Sequence, residues 1–389
     1  MTRLVDGTIE YMLQLDYIID SFSKTKVRKM KPFIRNLLRM SVYQIKYMDA
    51  VPDSAVCNEA VKLAKRHKFA QLSGFVNGVL RNIARNIDSV QLDTLSIRYS
   101  MPQWIVDRFV AAYTEKKAEE IFKAFHNKST ISIRTNLTRC TPDELRAMLE
   151  AEGVTVTAVD ELNYAFVISG FDYLNGLQSF RDGLFYVQDI SSMLVAQTAA
   201  PKKGDYVIDV CAAPGGKSTH IAELLQGSGH VLARDLTDNK VDMIEENIER
   251  HGLDNMSAEV WDATVPDADS AGKADILICD LPCSGLGVLG RKKDIRYKMT
   301  PESVDELAAL QRQILDTVHT YVKPNGVLVY STCTIDEAEN EDNVRWFIEK
   351  HPEFELDKSF AEGTGMKQIL PGEHGSDGFF IARFIKNKL

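Results

Sequence analysis

From Tyr206 to Ser331 the chain alternates short apolar runs with helix-like stretches, and that alternation leaves few folds open. The runs are "YVIDV", "HVLARD", "SAEVWDA", "ADILICD" and "GVLVYS"; between them lie "KSTHIAELL", "NKVDMIEENIERHG" and a long helical pattern over 302–322. Short strands separated by amphipathic helices predict βαβ units, hence a doubly wound α/β sheet with helices on both faces. The last run, "DGFFIARFIK", alternates as a closing edge strand would. Open sheets of this kind place their chemistry at the carboxyl ends of the strands. The residues just beyond each apolar run are therefore the candidates for function.

After the first run comes "DVCAAPGGKSTH" (209–220): a strand, a tight turn and a helix start. Gly215 and Gly216 let a ligand approach the backbone with no Cβ in the way, and Lys217 opens the helix. The spacing is neither Gly-x-Gly-x-x-Gly nor a Walker loop, which weakens dinucleotide and ATP readings. A purely structural turn is the competing explanation. Acids end four successive strands: Asp209, Asp235, Asp262 and Asp280. Asp235 stands where such sheets hold ribose hydroxyls, and Asp262 is placed to face an adenine amino group. An acidic mouth repels the phosphates of NAD or ATP but attracts the sulfonium of S-adenosylmethionine.

Two cysteines stand at matched offsets, Cys283 three residues beyond Asp280 and Cys333 three beyond Tyr330. Neighbouring strands lie ~4.8 Å apart, so both thiols are expected over one substrate. Free cysteines are often plain core fillers; the matched positions beside a methyl-donor pocket argue otherwise. Carbon 5 of cytosine is too weak a nucleophile to take a methyl group directly. A thiolate adding to carbon 6 makes carbon 5 an enamine carbon, and a base must later remove its proton. That chemistry needs one activated thiol and a second group for release, with Asp280 placed to hydrogen-bond the ring edge. The acidic stretch after Cys333 reads as the capped start of a helix.

The rest of the 389-residue chain is more than one domain's worth. Residues 1–86 are expected to be all-helical, with Ile34, Leu37, Leu38, Val42 and Ile45 at helical spacing. Further helix follows to about 127, and 131–195 mixes short strands and a helix. Residues 1–140 hold 23 Lys and Arg against 13 Asp and Glu, whereas the remainder holds 23 against 42. The cations concentrate in "KTKVRKMKPFIRNLLR" and "KLAKRHK", which reads as a polyanion-binding segment unless these are solvated helix faces. Cys57, Cys140, Cys211, Cys279, Cys283 and Cys333 are scattered, which suits free thiols in a reducing cytoplasm. No Cys-x-x-Cys pair exists, so no metal is expected. No window approaches the ~20 apolar residues of a membrane span, and the start lacks a signal pattern.

"DVCAAPGGKS", "DLPCSGLG" and "YSTCT" with "ENE" downstream resemble the Sun family of RNA cytosine-5 methyltransferases. "LLRMSVYQIKYMDAVPDSAVCNEAVKLAKR" with "GFVNGVLRNI" is similar to the NusB-like RNA-binding domain of its RsmB branch. The resemblance implies three parts: a NusB-like domain at 1–86, linker helices and a small α+β RNA-positioning module at 87–195, and a Rossmann-like class I methyltransferase domain at 196–389. It implies Cys333 as nucleophile and Cys283 as the group assisting release. It also implies that Cys211, Ala212, Ala213, Pro214, Gly215, Gly216, Lys217, Asp235, Asp262 and Asp280 hold S-adenosylmethionine. The implied target is a cytosine of small-subunit (16S) ribosomal RNA, modified by a cytoplasmic monomer with no metal or membrane partner.

Three departures accompany the resemblance. The NusB-like segment is expected to lack the family's first one or two helices. "YSMPQW" has no histidine before its proline, and "RKKDIRY" has Lys293 where proline is typical. The competing functions are a transfer-RNA cytosine-5 methyltransferase and a non-catalytic ribosome-assembly or antitermination factor. An exocyclic-amine methyltransferase would want an aromatic residue where Cys283 stands.

Overall fold

Residues 2–127 and 130–388 are described by a computed structural model. Internal packing divides the chain into residues 1–126 with 291–298, and residues 127–290 with 299–389. The first unit is helical. Helices Met12–Phe22, Pro32–Tyr47, Asp53–Arg66 and Ser73–Asn86 turn their apolar stripes inward, burying Leu15, Ile18, Leu38, Val42, Ala64, Leu80 and Ile83. Helices Gln103–Tyr113 and Glu115–Phe125 belong to the same unit. The link is polar: Gln14 Nε2 donates to the carbonyls of Ile97 and Arg98 at 3.2 and 2.9 Å.

Segment 291–298 joins this unit too. Arg296 is fully buried, Lys293 pairs with Glu10, and the Tyr297 hydroxyl donates to the Glu10 carbonyl at 3.1 Å. Lys293, standing where proline is typical of the family, thus serves as an ion-pair partner for Glu10 at the end of the helix Thr2–Glu10.

The second unit opens with a four-stranded antiparallel sheet of β1 (Ile131–Thr135), β2 (Thr155–Val159), β3 (Leu162–Ser169) and β4 (Phe185–Val187), in the order β2-β3-β1-β4. Helix Pro142–Ala151 starts with a Thr141/Glu144 capping box and packs Leu145 and Leu149 against Ile133, Phe166 and Phe185. The main sheet comes next. Its strands are β5 (Tyr206–Asp209), β6 (His230–Asp235), β7 (Met256–Val260), β8 (Ala274–Asp280), β9 (Val322–Thr332), β10 (Phe354–Leu356), β11 (Met366–Ile369) and β12 (Phe379–Lys386). The order is β10-β12-β9-β8-β5-β6-β7, with β11 also on β12; β5 to β9 are parallel and β12 is antiparallel to β9.

Alternate residues feed two cores, Tyr330 and Phe384 on one face, Val329 and Ile381 on the other. The chain turns back beside β5, between β6 and β8, which is the switch point where such sheets open a binding crevice.

Two expectations need correcting. β12 is no edge strand: it lies between β9 and β10, and Phe380, Ile381, Ala382 and Phe384 are all buried. An interior strand reads as a continuous apolar run because both its faces are covered. The helix expected over 302–322 spans Pro301–Val318, and β9 already begins at Val322, where it pairs with Ala274. Among the described residues no helix is long and apolar enough to cross a membrane.

Candidate active site

β8 and β9 run in parallel register with Asp280 opposite Ser331, so their exits carry the next residues out side by side. The Cys283 and Cys333 sulfurs lie 3.2 Å apart. Backbone bonds fix the two exits together. Leu281 N donates to Ser331 O at 3.1 Å, Gly287 N to Cys333 O at 3.1 Å, and Gly378 N to Gly287 O at 2.9 Å. The hydrogen bond to Cys333, then burial, then the charges of Cys333 and Glu339 push the Cys283 thiol well above its ordinary value.

Lys217 reaches the same place from the Gly turn, with Nζ 2.7 Å from Asp280 Oδ2. Burial opposes its charge, but Asp280, aided by Asp209 and Cys333, outweighs burial and pushes its pKa up. Asp280 Oδ1 accepts the Ser331 hydroxyl at 2.7 Å. Asp280 thus joins both strand exits to the Gly turn.

The turn itself needs its glycines. Gly215 has φ +103°, a conformation that L side chains rarely adopt, and a Cβ on Gly216 would lie 3.0 Å from the Tyr186 ring. Ala212 N donates to Arg234 O at 2.9 Å, and Pro214 O accepts Asn247 Nδ2 at 2.9 Å. Burial, then the charges of Asp209, Asp235 and Asp280, push the Cys211 thiol up, so it stays protonated within the turn.

The four strand-end acids do not share one task. Asp209 is fully buried beneath the turn, accepting Ser218 Oγ at 2.5 Å, and burial pushes its carboxyl up to about 7. It braces the turn and does not line the mouth, contrary to the expectation of four acids along one edge. Asp235 accepts Ala213 N at 2.9 Å, Leu236 N at 2.7 Å and Lys240 Nζ at 2.8 Å. Asp262 lies two residues past β7 and accepts both the Thr264 hydroxyl (2.7 Å) and its N–H (2.9 Å), which hold its carboxyl below the usual range.

The residues fit S-adenosylmethionine in chemistry. Asp235, Asp262 and Asp280 offer acceptors for hydroxyls and an amino group and negative charge for a sulfonium, around a turn with no Cβ at Gly215.

Several residues of this site escaped the sequence reading. Glu339, Ser284, Gln311 and Asn340 are buried polar residues woven around the two thiols. Residues 333–340 form an irregular loop, not a capped helix start, and the helix begins at Glu341. Thr332 Oγ1 donates to Asn340 Oδ1 at 2.6 Å and Asn340 Nδ2 to Thr334 O at 3.1 Å, which pulls the loop inward. The "ENE" spacing was the visible trace of this packing. Elsewhere, Asp316, His319 and His351 bring ligand atoms within 4.8 Å of one another. Lys350 Nζ sits 2.8 Å from Asp316 and neutralises it, so the group reads as an ion-pair network.

Five parallel strands, an antiparallel strand beside the fifth, a Gly turn after the first and an acid-lined switch point define a Rossmann-like methyltransferase domain. Residues 196–385 match the family described as 16S rRNA methyltransferase RsmB/F. Residues 1–85 match the NusB family, and 101–171 the ferredoxin-like domain of RsmF/B-like methyltransferases. The chain is 38% identical to the probable ribosomal RNA small subunit methyltransferase B of Bacillus subtilis (strain 168), over 99% of this chain and 90% of the relative. It is 32% identical to ribosomal RNA small subunit methyltransferase B of Salmonella paratyphi A, with the same coverage. Among solved structures, PH0851 superposes with a TM-score of 0.85 at 27% identity, covering 100% of this chain and 89% of that one. NSun6 from Pyrococcus horikoshii with SFG gives 0.66 at 24% identity, covering 74% and 99%, and shares the fold. The chain belongs to the RsmB/F family of 16S rRNA methyltransferases.

Proposed function

We propose that this protein methylates carbon 5 of a cytosine in small-subunit ribosomal RNA, using S-adenosylmethionine and a covalent adduct on Cys333. The observation that carries the reading is the 3.2 Å contact between the Cys283 and Cys333 sulfurs at the paired exits of β8 and β9. When bound, S-adenosylmethionine supplies a methyl group on a positively charged sulfur. Asp235, Asp262 and the turn from Cys211 to Lys217 hold it.

The protein's own residues do the rest. Cys333, as thiolate, adds to carbon 6 and makes carbon 5 nucleophilic. The Lys217 ammonium sits beside the anionic groups and steadies the charge that develops. Once Cys333 is bonded to carbon, its thiolate no longer accepts the Cys283 hydrogen bond or adds its charge, two of the influences that push the Cys283 thiol up; burial remains. The Cys283 proton passes to water. The Cys283 thiolate then takes the carbon 5 proton, the C–H electron pair forms the carbon 5–carbon 6 double bond, and Cys333 departs as thiolate.

Ribosomal over transfer RNA is favoured by the names of the relatives and by the NusB match in the basic helical unit. A non-catalytic assembly factor would have no use for two thiols in contact beside an acid-lined pocket. The test is adduct formation with small-subunit RNA and donor, followed on denaturing gels, with nucleoside mass spectrometry for 5-methylcytosine. Cys333→Ala should give neither product nor adduct, whereas Cys283→Ala should accumulate a denaturant-resistant adduct. A band seen only in Cys333→Ala would reverse the two roles. Full methylation by both variants would end the covalent reading.

A further inference from the structure

Beneath the thiols lies a carboxylate that packing alone does not explain. Glu339 is fully buried, and no salt bridge pairs it with a cation among the described residues. An unpaired buried charge is costly unless hydrogen bonds compensate it. Here they do so in part: Oε1 accepts Ser284 N at 2.9 Å and Gln311 Nε2 at 3.0 Å, and Oε2 accepts the Ser284 hydroxyl, while burial still pushes the carboxyl above its ordinary value.

These donors bracket one residue. Gln311 Nε2 also donates to Pro282 O at 2.8 Å, so Pro282 and Ser284, the two neighbours of Cys283, are both tied down. Ser284 Oγ lies 3.0 Å from Thr334 Oγ1, next to Cys333, and the Tyr330 hydroxyl donates to the Glu339 carbonyl. Glu339 therefore joins the loop of Cys283 to the loop of Cys333 from below. An apolar side chain of similar size would fill the space without the desolvation cost.

We propose that Glu339 is a positioning residue for product release: through Ser284 and Gln311 its carboxylate holds Cys283 where it can reach carbon 5 of the ring bonded to Cys333. This rests on the covalent reading above. Charge adds to the device, since Glu339 is among the groups that push the Cys283 thiol up. The Glu339 side chain reaches Ser284 directly but the Cys333 loop only through Ser284 and Thr334, so the Cys283 side depends on it more.

Glu339→Gln keeps the size but loses the charge and one acceptor; Ser284→Ala removes the hydroxyl half of the same link from the other end. Both should lower turnover about 10–100-fold, the scale of a roughly 1 Å misplacement, with the KM for RNA unchanged. Both should also accumulate the protein–RNA adduct, which a merely loosened fold would not do, and calorimetry should show wild-type donor affinity. Glu339→Asp, which restores the charge, should recover part of the turnover. Cys283→Ala serves as control. If it traps adduct while Glu339→Gln and Ser284→Ala do not, Glu339 has no part in release. If Cys283→Ala itself traps nothing, the release reading fails first.

Discussion

Gly287 donates its N–H to the carbonyl oxygen of Cys333 at 3.1 Å, and a Cβ on Gly287 would lie 2.8 Å from that same oxygen. It would also meet the Gly378 carbonyl at 2.3 Å. Both obstacles are backbone, so they cannot rotate away. Gly287→Ala should therefore push the Cys283 and Cys333 loops apart. Overpacking of this kind costs about 1–3 kcal/mol, readable as a lower urea midpoint. Methyl transfer should suffer more than stability, falling roughly 10–100-fold. Wild-type rates in this variant would mean that the spacing of the two loops is not set here.

Asp235 is the acid assigned to the ribose, and Lys240, about half-exposed, sits on its Oδ1. An exposed ammonium can swing aside when hydroxyls arrive. Asp235→Ala should lose a charge-assisted pair, about 1.5–3 kcal/mol, which calorimetry would read as at least a tenfold fall in donor affinity. Lys240→Ala should bind donor as well as or better than wild type, because it frees the carboxylate. Unchanged affinity in Asp235→Ala would move the pocket elsewhere; weaker binding in Lys240→Ala would make Lys240 itself a donor contact.

The sheet and the thiol pair were legible because both arise from local pattern. "ADILICD" and "GVLVYS" announce buried strands, and equal offsets of three residues bring Cys283 and Cys333 together once those strands pair. The hidden features depend on distant partners. Asp209 looks like its fellow strand-end acids until Ser218 turns it inward. Glu339 sits in "DEAENE", which reads as the capped start of a helix; Ser284, 55 residues away, and Gln311 explain its burial. Arg296 and Lys293 belong with Glu10, more than 280 residues away, and no periodicity reports such a contact.

Asp209 also sets a pH dependence. Its carboxyl is raised from 3.8 to about 7, chiefly by burial. The folded state therefore binds this proton more tightly than the unfolded chain does. Stability from this group is fully present below the unfolded value and is lost as pH rises towards about 7. Asp209→Asn is neutral throughout and should remove that loss. Urea unfolding at pH 5 and pH 8 should show the variant gaining on wild type at the higher pH. A difference that stays constant would mean Asp209 ionises normally in the fold.

The basic helical unit is the last element to test, and deletion is a poor tool for it. Removing residues 1–86 would take away Glu10 and Gln14, which hold Lys293, Arg98 and Ile97, and would disturb the remainder of its own unit. Arg28, Lys29 and Lys31 are better targets, being exposed cations before the helix Pro32–Tyr47. If they contact RNA phosphates, replacing all three with Ala releases fewer counterions on binding. The slope of log affinity against log salt should become shallower by about 0.7 per single-strand contact, roughly 2 for three contacts. Donor affinity, measured in parallel, should not move. An unchanged salt slope would show that these cations are solvated faces, and RNA would then have to be held by the second unit.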